Sequence, residues 1–192
     1  MEASTYVAAA SAALVGPGTA LREAEFTVPR SPGLYAIYGA SHVWQELGLG
    51  KPGDDRPLYV GKSESSLADR DIKQHFGDGR TGSSTVRRSV AALLRERLGL
   101  HPQPRNPAKP ADFDRYALSA PEDAKLTAWM RGHLMISVWP ALKLDQPLAV
   151  IEKEILKAWN PPLNLTHVER TSLTDLLKAK RAEMARAAEA AA

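Results

Sequence analysis

The chain contains no cysteine among its 192 residues, which excludes disulfides, thiolate zinc sites and cysteine nucleophiles. That fits a reducing cytosol or a tolerance of any compartment, and no structural zinc is expected. Long apolar runs are also missing. The alanine-rich start, Met1 to Leu14, carries Glu2, lacks a basic leader and is too short to span a membrane, so a cytoplasmic protein is expected. Neither charge sign dominates: 25 Lys and Arg against 22 Asp and Glu leave +3, which permits a polyanionic partner without requiring one. The sequence shows no internal repeat, no zinc-finger spacing and no leucine heptads, so no separate sequence-reading module is expected.

Among the features present, the position of Glu152 is the most informative. On a 3.6-residue period, Leu148, Ile151, Ile155, Leu156 and Trp159 form one apolar stripe, and Glu152 falls among them while Lys153 and Lys157 take the wet face. Burying an unpaired carboxylate costs roughly several kcal/mol, so Glu152 is expected to be neutralised, hydrogen-bonded or bound to a cation. The plain alternative is a helix-start carboxylate favoured by the macrodipole after Asp145 and Pro147, an explanation that weakens a turn further in.

Upstream, Pro32-Gly33 leads into Leu34-Tyr35-Ala36-Ile37-Tyr38, which reads as a strand, and Pro57-Leu58-Tyr59-Val60-Gly61 reads as a second strand paired antiparallel with it. Ser65 or Ser66 caps a helix running to about Phe76, and a second helix is expected from about Ser84 to Leu98, stopped by Gly99. Four prolines between residues 99 and 111 mark a constrained connection. Phe113 to Leu118 is a possible strand, Pro121 opens a helix to about His133, and Leu134 to Trp139 reads as a buried strand. Ser172 and Asp175 resemble a capping box for a C-terminal helix, whose alanine-rich end after Lys180 reads as frayed. This order of elements is α+β and not a repeated parallel crossover.

Together, Gly33-Leu34-Tyr35, Tyr59-Val60-Gly61, Lys62, Leu67-Ala68-Asp69-Arg70 and the segment from Ile151-Glu152 to Asn164 resemble, in order, the elements of the GIY-YIG nuclease superfamily. The resemblance covers roughly residues 32 to 165, leaving 1–31 as an N-terminal extension and 166–192 as a C-terminal helical extension. It implies a small central antiparallel sheet of about three strands flanked by helices, with an inserted strand and helix. It also implies phosphodiester hydrolysis, in double-stranded DNA most of all, with one divalent metal, Mg²⁺ or alternatively Mn²⁺. Glu152 would then be the metal ligand, which is reasonable because a hard cation keeping most of its waters needs only one or two carboxylates. Tyr35 would act as the base on the attacking water, with Tyr59 hydrogen-bonded beside it and the phenol's pKa of about 10 lowered by nearby positive charge. Arg70 would hold the scissile phosphate, Lys62 would add a second cation, and Asn164 would brace the site.

This chain departs from the family pattern at two places. The two tyrosines are further apart than in compact members, so Gly39 to Arg56 reads as an insertion, and its Lys51 and Arg56 could meet the substrate. His75 follows Arg70 by five residues where the family has four, about 140° apart on a regular helix, so either a π-bulge realigns the pair or His75 has another task. Between the helices, the Gly/Ser/Thr stretch with Arg80, Arg87 and Arg88 suits phosphates through backbone amides and positive charge, or is simply a solvated basic loop. A double-strand cut would need two active sites, hence a dimer or sequential nicking. The competing readings are a catalytically silent nucleic-acid-binding module on the same fold and a protein-interaction domain using the proline-rich segment and terminal helix.

Overall fold

The aromatic and aliphatic runs become strands because branched and aromatic side chains suit a pleated surface, and here both faces of that surface are covered. A computed structural model describes residues 3–52, 54–69, 75–106 and 108–191. In chain order the elements are α1 (Ala3–Leu14), β1 (Thr19–Ala20), α2 (Leu21–Thr27), β2 (Gly33–Gly39), α3 (Ser41–Glu46), β3 (Tyr59–Ser63), α4 (Thr85–Leu93) and α5 (Arg95–Leu98). After these come α6 (Ala120–His133), β4 (Leu134–Pro140), α7 (Leu148–Trp159) and α8 (Ser172–Ala190), with 3₁₀ turns at Thr81–Ser83 and Pro110–Arg115.

The sheet runs β1-β4-β2-β3, antiparallel throughout. Its three principal strands are the expected ones, and the two-residue β1 adds a fourth against β4. Alternation along β2 separates two cores. Leu34, Ala36 and Tyr38 join Val60, α1 and α7 on one face. Tyr35 and Ile37 turn to the other, where α2, α3, α4, α6 and α8 contribute. Every residue of β2 from Gly33 to Tyr38 is buried, as expected of a central strand sandwiched between helices. The Tyr38 hydroxyl donates to the Leu14 carbonyl at 2.6 Å, tying α1 to the sheet, and burial pushes its pKa up to about 12.

Several local expectations are corrected. Phe113 to Leu118 is not a strand: Pro110 starts a 3₁₀ turn through Arg115, and only an isolated bridge between Gln103 and Ala117 follows. The helix expected from Ser84 to Leu98 is broken at Leu94 into α4 and α5, and Gly99 ends it in the left-handed conformation at φ 60°. The capping box of α8 lies one residue earlier, with Thr171 and Thr174 bonding each other's backbone amides. The alanine-rich end of α8 is packed rather than frayed, since Met184 and Ala188 are wholly buried in the same core as Tyr35.

Candidate active site

Antiparallel register sets Tyr35 opposite Gly61 and Ile37 opposite Tyr59, so the two tyrosines are diagonal neighbours on one face. Their ring centroids are 6.1 Å apart. The glycines of both tripeptides are sterically required. A Cβ on Gly61 would lie 2.4 Å from Tyr35 Oη and 2.9 Å from the Tyr59 ring, and one on Gly33 would lie 2.3 Å from the Trp139 carbonyl oxygen on β4.

A buried polar chain begins at Tyr35. Its hydroxyl lies 2.7 Å from His75 Nε2, and His75 Nδ1 lies 2.6 Å from Ser84 Oγ. Tyr35 and His75 are each 1 % exposed, so both imidazole nitrogens are engaged away from bulk water. Ser84 is also the N-cap of α4, where its hydroxyl oxygen accepts the Arg87 amide at 3.2 Å. Ser66 caps the preceding helical segment by accepting the Asp69 amide, as expected. Backbone of π-helical form occurs at Ala68, Asp69 and His75, the kind of irregularity that a five-residue step invites. Arg70 itself lies outside the described residues.

Arg87 holds the base of this chain. It is completely buried, donates to the His75 carbonyl at 3.2 Å, and pairs with Asp123 on α6 at 3.0 Å while also reaching Thr127 and Thr81. Asp123 in turn accepts from the Arg80 amide at 3.1 Å and from the Thr81 hydroxyl. Burial lowers the Arg87 pKa and the Asp123 charge opposes that shift, as for a guanidinium retained inside a protein by a single carboxylate and a full set of acceptors.

Glu152 sits on α7, past the first turn and half-buried, between the buried Ile151 and Ile155, with Lys153 and Lys157 exposed as the periodicity predicts. Helix α7 packs on the sheet face opposite the tyrosines, against β3 and β2. The chain then turns at Asn160 in the left-handed conformation and crosses the edge of β3. There Asn164 Oδ1 accepts the Val60 amide at 2.9 Å and Nδ2 donates to the Val60 carbonyl at 2.8 Å. Asn164 therefore braces the tyrosine strand at its open edge. Lys62, half-buried on β3, is ion-paired with Glu64.

The cationic residues fall into two groups. Lys51 and Arg80 are exposed. Arg56 is exposed but forked onto Asp54, with Nε to Oδ1 at 2.6 Å and its second nitrogen to Oδ2 at 2.7 Å, which also lowers the Asp54 pKa. Arg87 and Arg88 do not extend a positive surface as the sequence suggests. The first is buried as described, and the second, 8 % exposed, donates to the Gly82 carbonyl at 2.8 Å. Ser84, with its hydroxyl on His75, escaped the sequence reading because helix caps are common and its partner is set by tertiary contact.

The structure thus brings Tyr35, Tyr59, His75 and Ser84 together on one face of a small antiparallel sheet, while Glu152 stands on the helix of the other face. Residues 52–183, more than half of the chain, match the sequence model of the GIY-YIG catalytic domain, and the chain belongs to that family. The match takes in Tyr59, Lys62, Arg70, His75, Glu152 and Asn164, while Tyr35 precedes it and is tied to it by strand register. Members of the family are generally nucleases, typically dependent on a divalent metal, and a nuclease domain implies a nucleic-acid substrate. No curated protein and no solved structure matches the chain.

Proposed function

We propose that this protein is a divalent-metal-dependent endonuclease that hydrolyses phosphodiester bonds in double-stranded DNA by in-line attack of a tyrosine-activated water. The observation that carries this reading is the Tyr35 hydroxyl 2.7 Å from His75 Nε2, with the far side of the imidazole held by Ser84. A phenol with an ordinary pKa of about 10 is a weak base at neutral pH, but one that passes its own proton to an imidazole as it takes one from water is not limited in that way. The water proton goes to the Tyr35 oxygen, the Tyr35 proton goes to His75 Nε2, and the imidazolium is supported by Nδ1–H donating to Ser84. The water oxygen attacks phosphorus as the opposite phosphorus–oxygen ester bond breaks, and the leaving oxygen departs with the bonding pair and takes a proton from solvent. Arg70 binds the phosphate through its fork, and Lys62 contributes a second positive charge to the domain.

Glu152 is the residue that would hold the metal. A half-buried carboxylate on an amphipathic helix offers oxygen ligands to a hard cation such as Mg²⁺ or Mn²⁺, which when bound would supply charge stabilisation at the phosphate. The catalytic unit comprises residues 32–165, with α1 and α8 closing its two cores and the exposed Lys51 and Arg80 as backbone contacts. No helix among the described residues is long and apolar enough to cross a membrane, and a cytoplasmic location belongs to the same reading.

A second assignment of the base is favoured by exposure. Tyr59 is half-buried where Tyr35 is 1 % exposed, so Tyr59 would meet the water and the Tyr35–His75 pair would polarise the surroundings behind it. Supercoiled-plasmid nicking by wild type and Glu152→Ala, in Mg²⁺, Mn²⁺ and chelator, tests the main proposal. Metal-dependent nicking lost in the variant is the expected result. Equal nicking by the variant would remove Glu152 from the chemistry, and salt-sensitive DNA binding without cleavage by wild type would establish a silent binding module instead.

A further inference from the structure

His42, Glu46 and His133 bring one ligand atom each to within 4.8 Å of one another, on the rim of the sheet where β2 ends and β4 begins. We infer that this is a second metal site, for a zinc-class divalent transition ion, which pins the inserted Gly39–Arg56 segment to the sheet. It is separate from Glu152, which lies on the helix of the opposite face.

Four features of the geometry support a built site. His42 and Glu46 stand four residues apart on α3, so they share one helix face. His133 closes α6, and its Nδ1 lies 2.8 Å from the Trp129 carbonyl, an acceptor that fixes the proton on Nδ1 and leaves Nε2 with its lone pair for a cation. The ring orientation is fixed as well, since Trp129 stacks on it with centroids 4.8 Å apart and planes 11° apart. The same tryptophan donates its indole N–H to Glu46 Oε2 at 3.0 Å, while Arg97 holds Oε1 at 3.1 Å. A carboxylate has about four lone-pair positions, so both bonds orient Glu46 and still leave it able to ligate.

Two imidazoles and one carboxylate with open positions is a donor set used by zinc, and it disfavours Mg²⁺, which takes oxygen ligands. Tetrahedral ligands about 2.0–2.2 Å from zinc lie roughly 3.4 Å apart, so atoms now within 4.8 Å of one another must close by up to about 1.4 Å. His42, which is exposed, can supply that movement. Because the site needs no thiolate, the lack of cysteine does not bear on it.

The test is Zn²⁺ titration of untagged protein against a chromophoric chelator in excess Mg²⁺, with the visible spectrum of the Co²⁺ form recorded in parallel. One equivalent of Zn²⁺ and a four- or five-coordinate nitrogen/oxygen Co²⁺ spectrum are expected. Affinity should fall at least 100-fold in His133→Ala, and 10- to 100-fold in Trp129→Phe, which keeps the stack but loses the bond to Glu46. His42→Ala, on an exposed position that keeps the fold, should also lose the Co²⁺ spectrum, while Glu152→Ala should bind zinc as wild type does. No binding by wild type, undiminished binding in His42→Ala and His133→Ala, or loss in Glu152→Ala would each overturn the proposal.

Discussion

The protein holds two histidine centres under opposite constraints. Around His75 both ring nitrogens are consumed by protein groups, the ring is out of contact with bulk water, and a buried arginine fixes its backbone. Around His133 one nitrogen is pinned by a carbonyl, and the ring offers a ligand atom within 4.8 Å of those of an exposed histidine and a glutamate. The difference shows how surroundings assign a role to the same side chain. An imidazole bonded on both sides can relay a proton but cannot readily take a metal, whereas one bonded on a single side is a ligand in waiting.

Breaking the interior centre should have the largest structural effect. Arg87→Ala or Asp123→Ala leaves one buried charge without its partner and should cost about 3–5 kcal/mol in urea denaturation, with loss of nicking. A loss below about 1 kcal/mol would mean that solvent reaches the pair. Gly61→Ala forces a methyl group into the Tyr35 hydroxyl and should cost about 3 kcal/mol or more, since the nearest neighbours are the buried Tyr35 ring and the ring of Tyr59. Asn164→Ala removes both bonds to Val60 and should cost about 1–3 kcal/mol, with an effect on nicking smaller than that of Glu152→Ala. Ser84→Ala loses a helix cap, worth about 1 kcal/mol, and frees His75 Nδ1, so nicking should fall more than stability does. At the rim, His133→Ala should cost only about 1 kcal/mol of stacking and leave nicking intact while zinc binding is lost. Nicking lost together with zinc would instead merge the two centres.

Local chemistry made much of the site legible in the sequence. Strand alternation, the glycines beside the tyrosines and a carboxylate within the apolar stripe of a helix are local patterns, and the strands and the helix stand where the periodicity puts them. Long-range burial was not legible. Arg87 and Arg88 sit in a Gly/Ser-rich stretch that reads as solvated, and only α6, supplying Asp123 and Thr127, turns Arg87 inward. The apolar residues after Phe113 suggest a strand but have no partner beyond a single bridge, since Pro110 and the crowded connection impose a 3₁₀ turn. The alanines at the end of α8 look free to fray until the core beside Met184 gives them somewhere to pack. His42 and Glu46 had a helical spacing that could have been noticed, but His133 comes from the far end of another helix.

The most direct test of the central claim is single-turnover nicking by Tyr35→Phe beside Tyr59→Phe, each checked for wild-type-like thermal unfolding. If Tyr35 passes the water proton to His75, its removal should slow nicking by roughly 10²–10⁴, with a smaller loss in Tyr59→Phe. Near-wild-type nicking by Tyr35→Phe, with the large loss falling on Tyr59→Phe, would contradict the relay and make the exposed phenol the base.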